Sequence, residues 1–198
     1  MSKIKVSLVL AMATCAFSAI AAPALAFTEF VAKDAPVQIK AIGHVQTFET
    51  GGSVSVECNR VEATAEAQKV KVTTLKVDVK YTQCEVKAFA QKFPAEMSQV
   101  KYLLNANGTI SFENAIRITV PIAGCEITVT PQSNQDLKAV TYTDVTGQTN
   151  KEVEADFAVE GITQTTKGSP ATCGKSSNVG KDKGKVILRA AKGDLEVI

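Results

Sequence analysis

Apolar and polar residues alternate with period two along most of the chain after residue 27. The cleanest run lies in Val70 to Tyr81, where Leu75, Val77, Val79 and Tyr81 alternate with Lys76, Asp78 and Lys80. That period puts one face of an extended strand in a core and the other in water. Val54, Val56 and Cys58 form a strand-like run before it, and Cys84 follows it. Val37 to Phe48 is β-like, with its alternation broken near Gly43, and Glu49-Thr50-Gly51-Gly52 is a turn. Met97 to Leu104 turns at Asn105-Ala106-Asn107-Gly108 into Thr109 to Phe112, and Asn-Gly is a strong hairpin signal. Ile116, Ile118 and Val120 alternate with polar residues, as do Cys125, Ile127 and Val129 after Gly124. Ala139 to Val145, Glu152 to Thr165, Val186 to Leu188 and Leu195 to Ile198 complete the set, with Val153, Ala155, Phe157 and Val159 sharing a face.

Three stretches lack this pattern. Glu62 to Lys69 has helical propensity but no apolar stripe, so an edge strand or a single turn fits it equally well. The piece with Phe89, Phe93 and Pro94 is irregular, and Lys167 to Lys185 reads as a Gly/Ser/Lys loop carrying Cys173. About ten short strands with turns between them, and no amphipathic helix, predict an all-β antiparallel sandwich or barrel. No composition shift divides residues 27–198, which are expected to form one domain.

Composition adds a compartment. Lys3 and Lys5 precede the apolar run Val6 to Ala22, and Ala24-Leu25-Ala26 is a small-x-small cleavage site. This is the pattern of a secretory signal peptide over 1–26, cleaved before Phe27. A lipidated Cys15 is the competing reading, but Met12-Ala13-Thr14 is a poor lipobox and Cys15 lies inside the apolar run. No later run approaches the ~18–20 apolar residues of a membrane helix. The chain is therefore expected to be secreted or held at the cell-envelope surface.

Cys58, Cys84, Cys125 and Cys173 remain after processing, an even number in an exported chain, which favours two disulfides. No two are spaced as zinc ligands in a C-x₂₋₄-C pair. Three pairings are possible; the sequence-local one, Cys58–Cys84 with Cys125–Cys173, is the expectation, each bond stabilising by about 3–4 kcal/mol on the chain-entropy model.

The chain carries 22 Lys and Arg against 20 Asp and Glu; without Lys3 and Lys5 the processed protein is neutral. That disfavours a dedicated nucleic-acid binder. Charge is unevenly spread, however. Lys175, Lys181, Lys183, Lys185, Arg189 and Lys192 face only Asp182 in the same stretch, leaving it at +5 and the remainder at −5. Such a patch fits contact with an anionic envelope polymer or another surface protein; equally, lysines beside an edge strand discourage aggregation.

Catalytic candidates are sparse. His44 is the one histidine, so any imidazole-based triad or metal site would need it, and it lies in an apolar run. Gly174-Lys175-Ser176 resembles the end of a phosphate loop, but Gly168 is one residue too distant for the motif. Asp144 and Asp156 are a formal candidate pair for glycosidic hydrolysis, with nothing in the sequence to bring them together. There is no Trp, and Tyr81 and Tyr102 fall in apolar surroundings, which disfavours an aromatic platform for sugars. Neither a cofactor nor a metal is expected.

The segments Gly52 to Cys58, Tyr81-Thr82-Gln83-Cys84, Gly124 to Val129 and Ala139 to Thr143, with Cys173, form a pattern of their own. In these the chain resembles an uncharacterised family of secreted actinobacterial β-domain proteins with paired cysteines. Members often carry two further cysteines in the region matching Met97 to Glu113, and this chain has neither. Their joint loss implies that they pair with each other. The resemblance implies fold and location and brings no activity, ligand or catalytic residue. The expected function is thus a structural or interaction role for a non-catalytic β-domain. The alternatives are a barrel binding a small apolar ligand in a cavity lined by Val77, Val79 and Phe157, and a carboxylate-dependent hydrolase.

Overall fold

The computed structural model describes residues 27–35, 37–50, 54–88, 91–131, 137–138, 140–146 and 149–198. Residues 1–26, over which a signal peptide is expected, part of the Glu49 to Gly52 turn, Phe89 and Gly147 lie outside them, as does the side chain of His44. The expected all-β class holds. The strands are β1 (Phe30–Ala32), β2 (Val37–Glu49), β3 (Ser55–Ala67), β4 (Lys71–Val72), β5 (Thr74–Ala88), β6 (Gln91–Met97), β7 (Val100–Asn105), β8 (Thr109–Phe112), β9 (Ile116–Val120), β10 (Cys125–Val129), β11 (Leu137–Lys138), β12 (Val140–Thr146), β13 (Lys151–Lys167), β14 (Ser177–Ala190) and β15 (Leu195–Val197). A 3-10 turn, Pro121–Ala123, and one helical turn, α1 (Pro170–Cys173), complete the described elements.

The pairings close on themselves. β5 takes β3 along one edge; its other edge carries β6 (Cys84↔Ala95) and β7 (Thr74↔Asn105) in one continuous register. β9 and β8 likewise follow one another along β6 and β7, and β10 and β12 along β13, each with a shift of register between them. The short strands are therefore interrupted staves of one wall. Its eight staves, in order, are β2, β3, β5, β6 with β7, β8 with β9, β10 to β12, β13 and β14, and β14 pairs back with β2. Every pair is antiparallel and, apart from the closing β14–β2 pair, joins staves consecutive in sequence, which makes an up-and-down barrel whose described staves close into one ring. Its outward positions carry Lys40, Glu62, Lys76, Asp78 and Lys80, all exposed, where a membrane barrel presents an apolar band. Among the described residues no helix is long and apolar enough to cross a membrane.

Two expectations need correction. Glu62 to Ala67 is neither helical nor an edge: it is the second half of β3, paired with β2 and β5. Its inward residues are Ala63, Ala65 and Ala67, apolar but too small to mark a strand against helix-favouring Glu and Gln. The supposed loop from Lys167 to Lys185 is mostly strand, since β13 ends at Lys167 and β14 begins at Ser177. The inward positions of early β14 are Gly180, Asp182 and Gly184, so no apolar alternation announces it.

The long strands share a phase change. Inward positions pass from odd to even numbers, or the reverse, at 44–45 in β2, 59–60 in β3, 82–83 in β5 and 160–161 in β13. Gln83 and Gly161 have left-handed backbones there, with φ of 56° and 80°. An extra residue inserted at the same level on several staves bends and twists the wall, giving the barrel a waist between two lobes. One end is covered by the sheet β15-β1-β4, whose Phe30 meets Tyr142 edge-on at 5.1 Å. At the other, α1 is held down by a disulfide from Cys173 to Cys125. The second disulfide joins Cys58 and Cys84, which face each other across β3 and β5. Both bonds match the sequence-local expectation.

Candidate functional site

The six basic residues are spread along one strand and its approaches. On β14 they meet acids from both neighbouring staves: Lys181 with Glu160, Lys183 with Glu49 at 3.0 Å, Lys185 with Glu154 at 2.8 Å and Asp156 at 3.1 Å, and Arg189 with Glu152 at 2.9 Å. Hydrogen bonding to Glu160 and Glu154 raises the pKa of the Lys181 and Lys185 ammoniums. The +5 of the linear stretch is thus offset by acids distant in sequence. Lys175 and Lys192 remain exposed outside this ladder. Asp156 is occupied by Lys185, and Asp144 accepts a hydrogen bond from the Val197 backbone N–H at 3.0 Å. The two acids lie on neighbouring staves with separate partners and do not converge on a cleft. Among the described residues no group of three or more His, Cys, Asp or Glu side chains could hold a metal ion.

The interior is filled with Val, Ile, Leu, Phe and Ala, as an eight-stranded barrel allows. Two small cavities flank the waist, of about 10 and 20 Å³. The larger is lined by Val77, Val79 and Phe157, the residues expected around an apolar ligand, but it has room for roughly one water. Between the cavities lies a polar layer that periodicity alone did not single out. Gln46 Nε2 donates to Asp182 Oδ1 at 2.7 Å, and the hydroxyls of Tyr81 and Tyr102 pair at 2.7 Å. All four side chains line the smaller cavity. Burial pushes Asp182 up to about 6 and raises both tyrosines well above their ordinary range. Gln46 Oε1 has no hydrogen-bond partner. Glycine makes the room: a Cβ on Gly184 would lie 2.1 Å from Gln46 Oε1. The sequence signal, in hindsight, is Gly180, Asp182 and Gly184 sharing one parity.

The outer wall carries the larger hollows. Two adjoin on the face of β2, β3 and β5, of about 470 and 390 Å³, and share Lys40, Thr64 and Asp78. They lie over the alanine half of β3. The inward residues beneath them are Ala63, Ala65 and Ala67, and together the two hollows form a trough. Thr64 lines both hollows, with Lys40 and Asp78 from the flanking strands. Neither of these two charges has an ion-pair partner among the described residues. No family model, curated protein or solved structure matches the chain.

Proposed function

We propose that the chain is an exported, non-catalytic β-barrel that acts outside the cytoplasm or at the cell-envelope surface, in a structural or interaction role, through its outer face. The supporting observation is a contrast of volumes: about 10 and 20 Å³ inside, against about 470 and 390 Å³ in the trough over β2, β3 and β5. Two disulfides and capped ends favour a rigid scaffold, and Lys40 and Asp78, which line both hollows, supply polar contacts to a partner.

The test is co-sedimentation of purified protein with isolated cell envelopes at low and high salt. Thr64→Trp with Lys40→Glu fills the trough and reverses one charge; Lys181→Gln, Lys183→Gln and Lys185→Gln neutralise the ladder on β14. Loss of binding in the trough variant only supports the outer-face reading. Loss in the ladder variant only, or binding by neither wild type nor variants, removes it.

A further inference from the structure

Asp182 is buried at the seam where the first and last long staves, β2 and β14, close the barrel. Among the described residues no cation is directed at it. Its strand neighbours Lys181 and Lys183 turn outward to Glu160 and Glu49, and Lys185 turns to Glu154 and Asp156. Across the seam Phe48 of β2 opposes it, and Val159 opposes it on β13. From the far wall, the titratable groups among the described residues are the hydroxyls of Tyr81 and Tyr102, and Met97, Phe112, Ile116 and Val129 there are apolar. A buried carboxylate without a counter-ion costs free energy until it is neutralised.

We propose that Asp182 and Gln46 form a proton-binding site that latches the β2–β14 seam, firm when Asp182 is protonated and looser when it is ionised. The hydrogen bonds give the reason. The carboxylate accepts from Gln46 Nε2 and from the Lys183 backbone N–H, which leaves Gln46 Oε1 without a donor. A protonated Asp182 becomes a donor. A small turn of the Gln46 side chain then lets its Oε1 accept from the acid O–H while Nε2 keeps donating to the other carboxyl oxygen. One proton taken from solvent removes the buried charge and satisfies the orphan acceptor together.

The seam is the place where this matters. Its register slips between Gly184↔Gln46 and Val186↔Gly43, so the ladder is interrupted beside the acid. Gly180 and Gly184, on the same inward face, contribute no side chain to hold the strand in place. The upward displacement of Asp182 from 3.8 to about 6 agrees in direction. Its folded-state value lies above its unfolded value. The stabilising contribution is therefore complete below about 4 and lost as pH rises through about 6.

The test compares wild type with Asp182→Asn, both carrying His44→Gln because an imidazole titrates in the same window. Relative to the Asn protein, the wild-type folding equilibrium constant is expected to fall on the order of a hundredfold between pH 4 and pH 7. Amide hydrogen exchange along β2 and β14, corrected for the intrinsic rate, should quicken over the same interval in wild type only. Parallel pH profiles for the two proteins overturn the proposal. Should the Asn protein not fold, ¹³C titration of the Asp182 carboxyl in wild type decides: a midpoint near 6 upholds the site, and one near 4 removes it.

Discussion

Tyr81 and Tyr102 belong to different staves and meet in the barrel centre, each hydroxyl finding its partner in the other. Such a pair is costly to break from one side. Tyr81→Phe or Tyr102→Phe alone strands a buried hydroxyl and is expected to destabilise by about 1–3 kcal/mol. The double replacement leaves no orphan, so urea melts should show it less destabilised than the two single changes summed. Gly184 presents a related case of close approach. Its replacement by Ala puts a methyl group against the Gln46 amide and within 2.9 Å of the Val45 carbonyl oxygen. A loss of about 1–3 kcal/mol is expected, partly recovered when Gln46→Ala is added; a thermodynamic cycle from denaturant melts measures that coupling.

At the scale of elements, legibility followed the inward side chains. β5 is legible up to Tyr81 because Leu75, Val77 and Val79 are large and its outward partners are charged. Beyond Gln83 the parity reverses, so a rule of strict alternation ends the strand too early. β3 shows the same reversal at Asn59–Arg60, where its inward residues also shrink to alanine. Early β14 offers glycine and aspartate inward, which a sequence reader assigns to a loop. Disulfide pairing was legible because both bonds link elements close along the chain, at separations of 26 and 48 residues. The second fastens the β13–β14 connection over one mouth of the barrel. Cys125→Ser with Cys173→Ser is therefore expected to cost about 4 kcal/mol and to expose that connection. Trypsin should then cut after Lys175 well before it cuts within the strands, and equal protection of wild type and variant would refute the fastening.

For the molecule as a whole, closure ties residues near both ends of the chain into one ladder, Ile39 with Ala190. The five long strands run through the waist, so neither lobe has a wall of its own. Both lobes should unfold together: tyrosine fluorescence and far-ultraviolet circular dichroism are expected to give coincident urea transitions. Separate midpoints would mean that the waist uncouples the lobes. The same closure explains the surface charge. The sequence places six cations in a short stretch, and only the neighbouring staves bring Glu49, Glu152, Glu154, Asp156 and Glu160 against them.

Local features follow from the sequence alone: strand character wherever large apolar residues alternate with charges, the hairpin at Asn107-Gly108, and the number of disulfides. Each depends on neighbours a few residues apart or on a count. Long-range pairing decides that short strands line up into eight staves, that Lys40, Thr64 and Asp78 meet in one trough, and that Asp182, Gln46, Tyr81 and Tyr102 meet at a waist. Those features arise from register between distant strands, and register depends on bulges at single residues whose effect is felt only across the barrel.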